Sequence, residues 1–349
     1  MKSVVVHTGG KMTVEDRPVP ELKSSGDVLV RIAYSGLCGS DIPRIFANSS
    51  HYYPITLGHE FSGHVVSIGK DIHDLQEGDA VACVPLLPCF ECEECKKAAY
   101  SQCKHYDFIG SRREGGHAEY AVVSRKNLFK LPGNASLLQG AFLEPITVGL
   151  HALKLAGGCQ DKEVIVIGAG TIGQLIIQAA SALGAKSVTA VDINPQRLAL
   201  ALETGASHAF NSATLSADDI RQKTQERRFN QLIIETAGTP QTVALSLDIA
   251  GPKAQVALVG TLHKDLTLNV STFSHILRKE LTLLGSWMNY SAPWPGSEWQ
   301  QATQLFAEKR INLDALIASI GAPEEFVREV TALAGKPMTG KILLDMTGS

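Results

Sequence analysis

Val164-Ile165-Val166-Ile167-Gly168-Ala169-Gly170-Thr171-Ile172-Gly173 is the stretch on which the fold turns. Four β-branched residues read as a buried strand, three glycines in GxGxxG spacing as a tight turn, and the apolar run Ile172–Leu183 as the helix that follows. Asp192 ends the next strand, nineteen residues past the last glycine. Strand, glycines, helix and acid in this order point to a dinucleotide. The glycines let backbone approach a pyrophosphate at a helix N-terminus, which makes Gly168, Gly170, Thr171, Ile172 and Gly173 the cradle and Asp192 the acceptor for a ribose 2′-hydroxyl. That carboxylate repels a 2′-phosphate and favours NAD over NADP, although Arg197, one turn into the next helix, could offset such a phosphate. A plain strand-to-helix turn is the bland alternative.

Downstream, Val188–Val191, Leu232–Glu235 and Gln255–Val259 alternate with helical stretches such as Pro195–Thr204, the βαβ rhythm of a parallel sheet. Asn194-Pro195 and Thr239-Pro240 each set a capping side chain before a proline at the first helical position, and Gly205 stops a helix. Upstream, Val28–Ala33, Phe61–Ile68, Ala80–Val84 and His117–Val123 read as strands with irregular joins, and no helical period competes there. Past Gly285 come an aromatic, turn-rich piece, two polar helical stretches and a last strand near Ile342–Leu344. The fold class is therefore α/β, a β-rich part followed by a doubly wound parallel sheet, and 349 residues are enough for two domains at roughly 100–200 each.

A net charge of −3 with 19% charged residues gives no basic surface for nucleic acid. The most apolar run, Val164–Ala185, carries Gln174, Gln178 and Ser181 besides its glycines and reads as a core helix, not a membrane span. Met1–His7 reads as a first strand and not as a signal peptide.

Four of the seven cysteines crowd into Cys89-x2-Cys92-x2-Cys95-x7-Cys103. Zn²⁺ favours four thiolates in a closed structural site, so this loop predicts a structural zinc; an iron–sulfur cluster or unrelated buried cysteines are the alternatives. Metal-bound thiolates place the chain in a reducing compartment, the cytoplasm.

A second set is scattered. Cys38 lies in Gly36-Leu37-Cys38-Gly39-Ser40-Asp41, His59 and Glu60 in Gly58-His59-Glu60-Phe61-Ser62-Gly63, and Glu144 opens Glu144-Pro145-Ile146-Thr147-Val148-Gly149-Leu150-His151. Three ligands from distant turns with an open fourth position is how catalytic zinc is held, yet each residue alone is more often packing than ligand. Asp41 and Glu60 are harder to dismiss, because a carboxylate in apolar surroundings needs a partner or a cation. Orienting a ligating histidine is one such role.

Together these motifs resemble the zinc-dependent medium-chain dehydrogenase/reductase family over essentially the whole chain. The resemblance implies a GroES-like catalytic domain over 1–147, completed by 286–349, and a Rossmann dinucleotide-binding domain over 148–285. It implies Cys38, His59 and Glu144 as catalytic zinc ligands, Glu60 as the neighbouring acid, and Ser40 as the hydroxyl that takes the substrate proton. Glu144 stands where alcohol dehydrogenases of the family have a cysteine, which resembles the polyol branch. Pro43 replaces the histidine often next in the proton relay, and His51 is the nearest substitute. Subgroup-level strings such as Arg44-Ile45-Phe46, Phe108-Ile109-Gly110-Ser111-Arg112-Arg113 and Gly285-Ser286-Trp287-Met288-Asn289-Tyr290 imply a hexitol phosphate as substrate, galactitol 1-phosphate going to tagatose 6-phosphate, with NAD as hydride acceptor. Sorbitol or another polyol, or threonine, is the alternative within the family, and a non-catalytic nucleotide-binding protein the remote one. The family also implies a homodimer. Arg44, Arg112 and Arg113 are candidates for the substrate phosphate. Lys341 is a candidate for cofactor phosphates or a solvated lysine, and Trp287, Tyr290 and Trp294 either wall a cleft or fill a junction.

Overall fold

A computed structural model describes residues 1–224, 229–336 and 338–348. The chain forms two compact units, one of Met1–Glu144, Tyr290–Ala307 and Ile317–Ser349, the other of Pro145–Asn289 and Glu308–Leu316. The boundary falls inside the helix Leu143–Leu155.

In the first unit a seven-stranded sheet runs in the order Ile317–Gly321, Lys341–Asp345, Asp27–Gly36, Glu60–Ile68, Ala80–Cys83 and Leu128–Lys130, with Tyr120–Ser124 also paired to Asp27–Gly36. Along Asp27–Gly36, Val28, Val30 and Ile32 alternate inward and pack with Phe61, Val65, Val81 and Leu128. A second core joins the two ends of the chain: Val4, Leu37, Ile45 and Leu57 pack with Phe326, Val330, Ile342 and Leu344. The Ile317–Gly321 strand and the helix Asp41–Phe46 are additions to the sequence expectation. The helix is too short for a periodic pattern to announce it, and the strand, IASIG, lacks the β-branched run that marked the others.

The second unit is a six-stranded, all-parallel sheet in the order His208–Asn211, Ser187–Asp192, Glu163–Ile167, Gln231–Glu235, Gln255–Leu258 and Thr282–Gly285. Numbered along the chain this is 3-2-1-4-5-6, the doubly wound order of dinucleotide-binding folds. The two central strands, Glu163–Ile167 and Gln231–Glu235, are buried at every position, which is why they read as unbroken apolar runs. Asn194 caps the helix Pro195–Thr204 by accepting from the amides of Gln196 and Arg197, and Thr239 forms a capping box on Pro240–Ile249.

The segment Glu308–Leu316 differs from the sequence expectation, which placed all of 286–349 with the first unit. Gln178 accounts for the difference: its Oε1 accepts from Asn312 N (2.6 Å), its Nε2 donates to Asn312 O (3.3 Å), and Arg310 Nη2 donates to Ala182 O (2.7 Å). The amide that spoke against a membrane span is thus the anchor of this segment.

Candidate active site and metal centres

The four cysteines of the loop converge. Sγ–Sγ distances are 3.6 Å for Cys89–Cys103, 3.8 Å for Cys92–Cys103 and 4.0 Å for Cys89–Cys95. A tetrahedral ion with Zn–S near ~2.3 Å has sulfur–sulfur edges of roughly 3.8 Å, so the sulfurs stand at ligand spacing, far beyond a disulfide bond. All seven cysteines of the chain are free. Amides of Cys92 and Cys89 donate to Cys89 and Cys103 sulfurs at 3.3 Å, and His105 N to Cys103 Sγ at 3.4 Å. Backbone donation from Glu91 and Cys92 pulls the Cys89 thiol down to about 6, so it is a thiolate at neutral pH.

The second cluster is built by strand pairing. Gly36 is directly opposite Glu60 in the antiparallel pair, so the turn after Gly36 carries Cys38 to the end of the sheet where His59 and Glu60 enter it. Ligand atoms of Cys38, His59 and Glu60 lie within 4.8 Å of one another. Gly36 is needed for room, because a Cβ there would stand 2.5 Å from Glu60 Oε2 and 3.3 Å from Lys341 Cδ. Glu144, at the start of its helix and 9% exposed, lies outside that set of three. Burial first, then the charges of Glu60, Asp41 and, more weakly, Glu144, push the Cys38 thiol well above its usual range. A half-buried thiol beside Glu60 and Asp41 keeps its proton, and a divalent ion would deprotonate such a thiol outright. Sulfur, imidazole and carboxylate donors with a buried His59 Nδ1 that has no hydrogen-bond partner therefore fit zinc.

Asp41 organises this cluster from beneath. It is fully buried; its Oδ2 accepts from Cys38 N (3.2 Å), and its Oδ1 lies 3.8 Å from His59 Nδ1 and accepts from Arg44 Nη1 (3.0 Å). It is the carboxylate that lies beside the His59 ring, at more than hydrogen-bond distance. Phe108 packs edge-on against the His59 ring at 5.5 Å. Ser40 is exposed; its Oγ donates to Cys38 Sγ at 3.3 Å and accepts from Arg44 Nη1 at 2.9 Å.

In the second unit the glycine turn is tightly packed at two of its glycines and open at the third. Gly168 has φ +91°, and a Cβ on it would meet Thr236 Oγ1 at 2.8 Å; a Cβ on Gly173 would meet Gly168 O at 1.8 Å. Around Gly170 there is open space, and the helix Thr171–Ala182 begins there without a side-chain cap, so its first amides face outward from the turn. Ile172 follows Thr171 in that first helical turn. Asp192 holds the turn as well as ending its strand: its carboxylate accepts from Ala169 N (2.6 Å) and Asn194 N (2.8 Å), with Arg197 Nη1 3.7 Å away. Glu235, which sequence inspection passed over as a strand end, is fully buried and accepts from Ala237 N and Gly238 N, both at 2.9 Å. Between them Thr236 Oγ1 donates to Gly168 O at 2.7 Å, so the carboxylate braces the loop packed on the glycine turn.

Other candidate residues are placed differently from expectation. Lys341 is neither solvated nor free for a cofactor: it is 3% exposed, 2.5 Å from Glu60 Oε2, and donates to Leu37 O at 3.2 Å. It is a missed member of the cluster, separated from Glu60 by 281 residues, and only the core formed by the two chain ends could reveal it. Arg112 stacks on Tyr106 at 4.3 Å, and Arg113 is paired with Asp107. Tyr290 and Trp294 stack at 5.2 Å in an aromatic group with Phe90 and Tyr100 of the cysteine loop, and Trp294 Nε1 donates to Lys126 O. Tyr290 is buried and Trp294 half-buried in the first unit, whereas Trp287 is 49% exposed. His51 is exposed, outside the set formed by Cys38, His59 and Glu60.

A GroES-like unit carrying two zinc-type donor sets, with a doubly wound dinucleotide unit beside it in sequence, defines a class. The chain belongs to the zinc-dependent medium-chain dehydrogenase/reductase family, in its polyol branch, and is an oxidoreductase. It matches the families described as alcohol dehydrogenase GroES-like domain over 24–133 and zinc-binding dehydrogenase over 171–308. It is 60% identical over 344 residues, 99% of each chain, to galactitol 1-phosphate 5-dehydrogenase of Escherichia coli strain K12. The crystal structure of galactitol-1-phosphate dehydrogenase from Escherichia coli superposes with a TM-score of 0.98, covering 99% of this chain and 100% of that one. A probable D-xylulose reductase A of Neosartorya fischeri is 32% identical over 315 residues, 88% of this chain and 86% of its own.

Proposed function

We propose that the protein oxidises galactitol 1-phosphate to tagatose 6-phosphate with NAD⁺. The observation that carries this is the 60% identity along 99% of the chain to an enzyme of that name, in a molecule whose Cys38, His59 and Glu60 donor atoms stand together. Cys38 and His59 hold a zinc ion; Glu60, already inside the donor set, and Glu144, whose charge reaches Cys38, are the carboxylates that complete it. Bound zinc supplies Lewis-acid polarisation of a secondary hydroxyl, and NAD supplies the hydride acceptor.

The rest falls to the chain's own groups. Ser40 Oγ, exposed and 3.3 Å from Cys38 Sγ, would relay the hydroxyl proton, accepting it while passing its own hydroxyl hydrogen to the solvent it faces. Asp41 holds the Cys38 turn in one conformation and lays its carboxylate beside the His59 ring. Lys341 balances Glu60, so the buried cluster does not gather uncompensated negative charge. In the second unit Gly168, Gly170, Thr171, Ile172 and Gly173 cradle the pyrophosphate. Asp192 accepts from the ribose, with Arg197 beside it. The four-cysteine loop holds the second, structural zinc.

The protein assembles as a homodimer through the second unit. Its sheet ends on Thr282–Gly285, an edge with Leu283 44% exposed, and the helix Val270–Arg278 presents Val270, Phe273 and Leu277 on one face at 83%, 51% and 67% exposure. An open edge beside an apolar stripe is a surface for a second copy. Sedimentation at several concentrations tests this. Seven free cysteines support a cytoplasmic location, and among the described residues no helix is long and apolar enough to cross a membrane. The reaction is tested by NADH absorbance with galactitol 1-phosphate, galactitol, sorbitol and threonine in parallel, before and after zinc chelation. Turnover of the phosphate ester that stops on chelation is expected; preference for an unphosphorylated polyol or for threonine refutes the substrate.

A further inference from the structure

We propose that Arg44 binds the phosphate of the substrate, using the Nε–H/Nη2–H edge of its guanidinium. This rests on the reading of the substrate given above and names the residue that recognises it. Arg44 lies one helical turn beyond Ser40 in Asp41–Phe46, so its side chain curls back over the turn that bears the proton acceptor. It makes three hydrogen bonds to the described residues, to Ser40 O (3.0 Å), Ser40 Oγ (2.9 Å) and Asp41 Oδ1 (3.0 Å), and all three use Nη1. Anchoring through Nη1 leaves the opposite edge, where Nε–H and Nη2–H run parallel, which is the pair that grips two oxygens of one phosphate.

The placement is fixed rather than chance. Asp41, fully buried, holds the guanidinium plane, while Arg44 itself keeps 22% of its side-chain surface exposed and its neighbour Ser40 is exposed. The other two arginine candidates are occupied: Arg112 lies over Tyr106 and donates to Tyr106 O and Oη, and Arg113 is paired with Asp107. Charge gives the same answer. A phosphate needs a cation it can reach: Lys341 is 3% exposed and paired with Glu60, whereas Arg44 is partly exposed and in hydrogen-bond contact with Ser40, the hydroxyl assigned to relay the substrate's proton.

The test compares kcat/KM of the zinc-loaded full chain for galactitol 1-phosphate and for galactitol, in wild type, Arg44→Gln and Arg44→Lys, with inorganic phosphate as a competitive inhibitor of each. In Arg44→Gln the preference for the phosphate ester falls by ~10–100-fold, the range for a lost charge-assisted hydrogen-bonded pair, and the phosphate inhibition constant rises with it. Arg44→Lys, which keeps the charge beside Asp41 but lacks parallel donors, falls part of the way. Equal losses on both substrates in Arg44→Gln, with phosphate inhibition unchanged, overturn the assignment and leave Arg44 as a residue that only positions Ser40. A wild-type preference that survives in both variants overturns it too. A wild-type enzyme with no preference for the ester overturns the substrate itself, and the Arg44 assignment with it.

Discussion

Lys341→Met keeps the length of the side chain and deletes its charge, at a point where the structure allows the cost to be worked out. Nζ is 2.5 Å from Glu60 Oε2 and 3.2 Å from Leu37 O, and the two side chains are 4% and 1% exposed. Water cannot reach the carboxylate that is left, and breaking a buried pair from one side typically costs ~3–5 kcal/mol. For a unit of roughly 200 residues each kcal/mol lowers the melting temperature by ~2–4 °C, so the metal-stripped variant melts ~6–20 °C below wild type. The double variant Glu60→Gln/Lys341→Met has no charge to strand and loses much less, about 0–2 kcal/mol. With zinc bound, a cation replaces the lost one and the Lys341→Met deficit shrinks. Calorimetric scans at one fixed rate, on stripped and loaded forms of wild type, Lys341→Met, Glu60→Gln and the double variant, read these differences. A stripped Lys341→Met protein melting within about 2 °C of wild type, or a double variant that loses the sum of the two singles, would refute the reasoning.

Three other outcomes follow from sites already described. His117 is buried, hydrogen-bonded through Nδ1 to Ser35 Oγ at 2.8 Å, and burial holds its pKa down to about 4. The unfolded chain binds this proton near 6.5 and the native one does not, so up to about 3 kcal/mol is present above pH ~6.5 and is lost as the pH falls toward 4. The melting-temperature gap between stripped wild type and His117→Gln therefore narrows from pH 7 to pH 5, and a constant gap contradicts it. Cys92→Ser lowers bound zinc from two to one per chain by elemental analysis and lowers the melting temperature; retention of both ions would remove the four-cysteine site. Asp192→Asn shifts the NAD:NADP preference toward NADP by ~10-fold in kcat/KM, as expected when a carboxylate no longer repels a 2′-phosphate, and an unchanged ratio argues against its ribose role.

The four inner strands of the parallel sheet were legible in the sequence because their signals are local, while the edge strands His208–Asn211 and Thr282–Gly285 were not read. Val164–Ile167, the three glycines, Asp192 and the Asn194-Pro195 cap are each short-range and mutually consistent. The cysteine loop is local too, and its sulfurs stand at the spacing its pattern implies. What could not be read depends on distance along the chain or on direction in space. Lys341 looks like any exposed lysine until the last strand is laid beside Asp27–Gly36 and the side chain comes to lie on Glu60. Arg44, Arg112 and Arg113 are equivalent as letters, and they separate only when Asp41, Tyr106 and Asp107 are seen to claim one face of each. Glu308–Leu316 follows Gln178, whose amide sits inside a helix and gives no hint of a partner 134 residues away.

Placing Lys341 on the last strand ties the chemistry to completion of the polypeptide. A chain interrupted between the glycine turn and that strand already carries Cys38, His59, Glu60, Glu144 and the cysteine loop, yet lacks the ammonium that balances Glu60 and the Ile342 and Leu344 side chains that close the core over Leu37. Proteolysis or premature termination there acts as a substitution in the active site and not as the trimming of a surface tail. An intact carboxyl-terminal strand is in that sense a checksum on translation, verified at the metal cluster itself.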